Sequence, residues 1–270
     1  MLALTDPYEV TWEKLPDDFV LDNDPVDNIN QPPIAAALTE SLEIAGSLPA
    51  NALTTTNYGI CATLNGRMVV KAPDWGYVPF IRVARAEVMR SYTPILQGEP
   101  PAIVMEFISD TERHEYSSKE SDPPGKWFFY EQVLRVPNYA IFEPQTGYLK
   151  VYQLSDRGLY IRRRPDSKNR YWISEMSLFL GIWEGTRENR TGYWLRWWDE
   201  AGELLLWGSE LVARERQRAE LERQRAELER QRAEQERQRA EQERQRVELE
   251  RQRVEQLIAQ LRAAGIEPEL

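Results

Sequence analysis

Apolar residues at Ile34, Leu38, Leu42 and Ala45 recur every three or four positions, with Glu40 and Glu43 on another face. That spacing predicts an amphipathic helix, opened by Pro32–Pro33, where a missing N–H leaves nothing unsatisfied. The pattern then shortens into strand-like runs at Tyr58 to Leu64, Arg67 to Lys71 and Asp74 to Val83. Asn65-Gly66 joins the first two as a hairpin, since both residues accept positive φ. A run at 102–108 predicts another strand, followed by a polar loop over 110–123. Asp122-Pro123-Pro124 opens a second helix expected to reach Arg135, with Trp127, Tyr130 and Leu134 on one face. Strands follow at Tyr139 to Phe142, Leu149 to Leu154 and Leu159 to Arg163. Residues 171–207 read as Trp-rich strands that close in a hairpin near Asp199 to Gly202, and residues 1–31 as irregular apart from a short strand near Tyr8 to Trp12. One early helix, a β-meander, then a helix and more strands define an α+β or α/β domain with a mixed sheet.

The C-terminal part obeys a different rule. From Ala219 a seven-residue unit, AELERQR or AEQERQR, repeats to near Leu261. The period invites a coiled coil, but taking Ala219 as a core position puts Glu222 at the next one, and taking Leu221 puts Gln224 there. Glu and Arg three or four apart, as in Glu220–Arg223, Glu222–Arg225 and Arg218–Glu222, favour a long solvated helix held by intrahelical pairs. Val254, Leu257, Leu261 and Ala264 restore an apolar seam only at the end. A 210–253 segment is therefore expected to be helical and mainly monomeric, with homo-oligomerisation or a protein partner left to the extended arm. The chain divides into a domain over 1–208, a helix over 209–264 and a short tail over 265–270.

Charge separates the two parts further. From Glu210 onward 15 Glu face 14 Arg, so of the net charge of −10 the body carries −9. An acidic body is a poor general binder of nucleic acid, whose phosphates need local cations. Arg82, Arg85 and Arg90, or Arg162 to Arg164 with Lys168 and Arg170, are the candidates for a basic track; balancing nearby acids is the favoured role for both sets. A lone Cys61 excludes an internal disulfide, and no segment has the apolar length of a membrane span. These features predict a soluble, cytoplasmic protein.

Three ionisable residues stand where the pattern asks for apolar ones. Asp74 opens a hydrophobic strand in KAPDWGYVP, Glu106 interrupts the strand run PPAIVMEFIS, and Lys126 begins the aromatic stretch GKWFFYEQ. Burying an unpaired carboxylate costs roughly several kcal/mol unless a cation compensates it. Two carboxylates and an ammonium in such company point to a metal site with a catalytic lysine. The competing reading makes Asp74 a turn residue and Glu106 half of a buried salt bridge with Lys126 or an arginine. His114, in the polar loop, reads as solvated, Tyr130 as a core or hydrogen-bonding residue, and Trp194, Trp197 and Trp198 as core rather than as platforms for bases.

In PDWGYVP, AIVMEFIS and GKWFFYEQVLRVPNYAIFEP the chain resembles the Uma-type restriction endonuclease-like family, a branch of the PD-(D/E)XK nuclease superfamily. The resemblance implies a restriction-endonuclease-like core, a mixed sheet flanked by helices, and metal-dependent cleavage of DNA. It makes Asp74 and Glu106 the ligands of Mg²⁺ or Mn²⁺ and Lys126 the basic catalytic residue. Two positions past Glu106, where the superfamily's lysine usually stands, this chain has Ile108, so the role moves to Lys126 on the helix. Glu40 or Glu43 is the candidate third carboxylate. Two oxygen donors with room for water and phosphate oxygens suit a hard ion.

Overall fold

The computed structural model describes residues 8–19, 29–108, 125–263 and 265. The chain forms two compact units, Met1–Gly208 and Ser209–Leu270. The first is mixed α+β. Its elements are β1 (Val10–Thr11), α1 (Gln31–Ile44), β2 (Leu53–Thr55), β3 (Ile60–Leu64), β4 (Arg67–Lys71), β5 (Trp75–Val78) and β6 (Ile103–Phe107). A short helix α2 (Lys126–Phe128) then widens into a π turn over Phe129–Val133. The unit continues with β7 (Asn138–Glu143), β8 (Tyr148–Leu154), β9 (Tyr160–Arg162), β10 (Arg170–Ile173), β11 (Leu178–Arg187) and β12 (Arg190–Trp198).

A six-stranded sheet in the order β2-β5-β6-β7-β8-β9 is the centre of this unit, with β6 and β7 parallel and every other pair antiparallel. Alternation along β6 sends Ile103, Met105 and Phe107 to one face and Val104 and Glu106 to the other. The first face packs on Ile34, Leu38 and Leu42 of α1 and on the β10-β11-β12 sheet, including buried Trp194 and Trp197. The second face packs on Ile60, Ala62 and Leu64 of the β1-β3-β4 sheet and on Phe129, Tyr130, Val133 and Leu134.

The hydrophobic pattern located most of these elements, and local chemistry moved their ends. The β3–β4 hairpin turns on Asn65 at φ 48° and Gly66 at φ 75°, the left-handed conformation that this pair tolerates. β5 stops at Val78 rather than Val83, because Pro79 has no N–H to continue a ladder. The short edge strand β2 had no period of its own to reveal it. Residues 109–124, which hold the expected polar loop, His114 and the proposed helix start at Asp122, lie outside the described residues.

Three of the arginines assigned to balancing acids hold backbone instead. Arg85 donates to the Ala52 carbonyl, Arg90 to those of Pro16 and Phe19, and Arg163 to that of Trp172. Arg170 does pair with Asp166, and its guanidinium lies over the rings of Phe179 and half-buried Trp198.

Among the described residues the second unit holds a helix, α3, which begins at Gly208 and runs to Ala263 with no buried residue. Of the expected intrahelical pairs Arg218–Glu222 forms, while other glutamates take different partners. Gln224, Gln231, Gln238 and Gln252 each donate to the glutamate four residues earlier, and Arg218–Glu222 and Arg251–Glu255 are the ion pairs seen. Glu220 therefore bonds Gln224, not Arg223. Among the described residues no helix is long and apolar enough to cross a membrane.

Candidate active site

The site is assembled on the second face of the central sheet, where β5 and β6 run antiparallel with Trp75 opposite Met105. Continuing that register by one residue sets Asp74 across from Glu106, on the same face. Side chains directly opposite on neighbouring strands have Cβ atoms about 4.5–5.5 Å apart. The Asp74 carboxylate is buried and its Oδ2 accepts the N–H of Phe107 at 2.5 Å. The carbonyl of Phe107 accepts from Gln31 Nε2 of α1 at 2.8 Å, so the end of β6 is tied at both its backbone polar groups.

Glu106 is fully buried, and both its oxygens are taken. Oε2 accepts from the Lys126 ammonium at 2.9 Å, and Oε1 accepts from the Tyr130 hydroxyl at 3.0 Å. Lys126 and Tyr130 are four residues apart, one helical turn, which presents both to the same carboxylate. The helix is fixed from below and from the side. Trp127 meets Tyr139, Tyr152 and Tyr160 edge to face, and Glu131 accepts the backbone N–H of Tyr160 at 2.6 Å and the Trp127 indole N–H at 3.3 Å. The π turn follows directly, closed by the Leu134 N–H on the Phe129 carbonyl at 2.9 Å. Such wide turns recur at functional positions of helices.

Burial governs the electrostatics. It pushes the Glu106 carboxyl up to about 8, with the nearby Asp74 charge adding to the rise and Lys126 and the two hydrogen bonds opposing it. Tyr130 is held well above its ordinary range by burial first and by the Glu106 charge second. Once Glu106 ionises, one ammonium faces two carboxylates and the site becomes net negative in a dry setting. Added positive charge is stabilising there.

Asp74, Glu106 and Lys126 thus come to one place, and Tyr130, read from sequence as a core or hydrogen-bonding residue, joins them. Neither Glu40 nor Glu43 does. α1 packs on the opposite face of the sheet; Glu40 accepts the Gly208 N–H at 3.2 Å and pairs with Arg187 at 2.8 Å, while Glu43 is exposed. Among the described residues no third Asp, Glu, His or Cys completes a cluster able to hold an ion. The donor set is two hard carboxylates, which fits Mg²⁺ or Mn²⁺ retaining water and taking further oxygens from a phosphate, and does not fit a closed protein cage. The Tyr130 hydroxyl's contact with Glu106 has one signal in the sequence, the four-residue step from Lys126 to Tyr130.

A family model described as "Uma2: Putative restriction endonuclease" matches residues 39–187, a span that includes all four of these residues and excludes α3. No curated protein matches the chain.

Proposed function

The chain belongs to the Uma2 family of restriction endonuclease-like proteins, and on that premise we propose that it is a divalent-metal-dependent endonuclease that hydrolyses phosphodiester bonds of DNA. The observation that carries the reading is a fully buried Glu106 held by both Lys126 and Tyr130 across from Asp74. A purely structural ion pair would not need a second carboxylate at its side, since Asp74 raises the cost of ionising Glu106.

Asp74 and Glu106 are the residues that would hold Mg²⁺ or Mn²⁺. When bound, the ion supplies charge neutralisation at the phosphate and makes water more acidic. Hydrolysis adds water to phosphorus and breaks one P–O ester bond; the departing oxygen takes a proton, leaving a phosphate on one end and a hydroxyl on the other. Lys126 favours the ionised form of Glu106 and offers its ammonium to charge building on the phosphate oxygens. Tyr130 fixes the rotamer of Glu106 through Oε1. The Asp74 bond to the Phe107 N–H fixes the spacing of the two strands that carry the carboxylates.

A second reading is favoured by α3, which has no buried residue over its whole length, and by the acidic body: a non-catalytic interaction protein that keeps the nuclease core and recruits a partner through the arm. Plasmid cleavage with Mg²⁺ or Mn²⁺ separates the two. Nicking or linearisation by the wild type, lost in Asp74→Ala, supports the nuclease; a folded wild type that leaves plasmid intact with both ions supports the interaction protein.

A further inference from the structure

Every seventh residue of α3 from Val212 to Leu261 is Ala, Val or Leu, and Val212, Val247 and Val254 stand exposed. Three residues after each stripe residue from Val212 to Val247 comes a glutamate and four after comes an arginine, from Glu215–Arg216 to Glu250–Arg251. At about 100° per residue, the glutamates form a column about 60° to one side of the apolar stripe and the arginines one about 40° to the other. Within the helix these columns are mostly unused, because glutamine takes the other glutamates. Glu229, Glu236 and Glu243, with Arg230, Arg237 and Arg244, form no ion pair along their own chain.

We infer that α3 pairs with α3 of a second copy of this chain, parallel and in register, along the stripe from Val212 to Leu261. The choice of occupant rests on charge complementarity. A two-fold axis running along the stripe brings the glutamate column of each copy against the arginine column of the other on both sides. Glu222 and Arg223 of the opposite copy then differ in height by about 1.5 Å, one residue rise. Turning one copy end for end sets glutamate against glutamate and arginine against arginine, which is unfavourable at every repeat. Substitutions at Glu229, Glu236, Glu243, Arg230, Arg237 or Arg244 thus break no ion pair of the single helix and act on the pair of helices, whereas Glu222 and Arg251 also lose an exposed intrahelical partner.

The division of labour along the arm follows from composition. Alanine allows close approach but buries little area, so the Ala219 to Ala240 stretch selects orientation more than it supplies affinity. After Val254 the column positions become Leu257 and Ile258, and the stripe widens into an apolar patch closed by Leu261. Leu257 and Val254 are both exposed in the single chain. This end holds the pair together, in keeping with a 210–253 segment that is monomeric by itself. The inference is independent of whether the body cuts DNA.

Sedimentation equilibrium on the full chain at micromolar concentration and physiological salt is the test. The wild type is expected at twice the chain mass, and a chain ending at Arg253 at the monomer mass. A variant with Glu222, Glu229, Glu236 and Glu243 changed to Arg should lose at least tenfold in self-association, as should one with Arg223, Arg230, Arg237 and Arg244 changed to Glu. Mixing the two variants should restore the dimer, with circular dichroism showing that each remains helical. Orientation is read with Ala240→Cys, which a parallel in-register pair cross-links to itself under mild oxidation; the native Cys61 is buried. A monomeric wild type, charge variants that associate as well as the wild type, a mixture that stays monomeric, or an Ala240→Cys dimer that does not cross-link would each overturn the inference.

Discussion

Replacing Glu106 by Gln removes one ionisation and almost nothing else from the site, so its effect can be worked out in advance. In the folded chain the carboxyl sits at about 8 because it is buried beside Asp74; unfolded, it returns to about 4.5. The folded state therefore binds the proton more tightly, and its contribution to stability is complete below about pH 4.5. It is lost as pH rises through about 8. A displacement of that size corresponds to about 4–5 kcal/mol across the window, a large part of the roughly 5–15 kcal/mol that holds a domain together. Urea unfolding followed by tryptophan fluorescence at pH 5, 6, 7 and 8 measures it, and the difference between wild type and Glu106→Gln cancels the other acids. The wild type should lose stability relative to the variant as pH rises. Millimolar Mg²⁺ should then recover stability at pH 8 in the wild type alone, because a cation favours the ionised carboxylate. The same variant should have no metal-dependent cleavage. Parallel pH profiles for the two proteins, or equal Mg²⁺ effects, would refute the claim that a buried, proton-holding Glu106 organises this site.

Other substitutions probe the neighbours. Lys126→Met leaves two carboxylates without the ammonium at 2.9 Å; Glu106 should become harder to ionise, and cleavage should fall about 10²-fold or more with the fold retained, checked by near-UV circular dichroism. Tyr130→Phe removes a buried hydrogen bond to Glu106 and should cost about 1–3 kcal/mol in urea unfolding, with a smaller loss of cleavage than Lys126→Met. Arg196 is fully buried, donates to the Leu205 carbonyl and lies 3.4 Å from the ring centre of Trp207, so Arg196→Ala should destabilise the body by about 3 kcal/mol in the same assay while leaving metal-dependent cleavage chemistry untouched in the folded fraction.

How far the sequence reveals this molecule varies from element to element. α1 and the β3–β4 hairpin are legible because local chemistry decides them, through an apolar period and through Asn65-Gly66. Glu106 is legible as an anomaly, a charge within IVMEF, whatever packs against it. Its partners are less so. Lys126 reaches it from a different element, and the step to Tyr130 looks in sequence like one more apolar contact until the hydroxyl finds a carboxylate. The π turn has no local code; it follows from fitting Phe129, Tyr130, Val133 and Leu134 against the sheet. The fate of Glu40 is wholly tertiary, since Arg187 lies far away in the chain. In α3 the reverse failure occurs: several partners at suitable spacing compete for each glutamate, and spacing alone does not rank glutamine above arginine.

The seven-residue unit of α3 also shapes how this protein can change. Each unit adds about 10.5 Å of helix and brings the apolar, glutamate and arginine positions back to nearly the same azimuth. Gain or loss of a whole unit lengthens or shortens the arm without disturbing the phase of its columns. A single-residue insertion would instead rotate everything beyond it by about 100°. Arm length can thus change in steps of seven residues at little structural cost, whereas a change of phase breaks the alignment of all three columns beyond it.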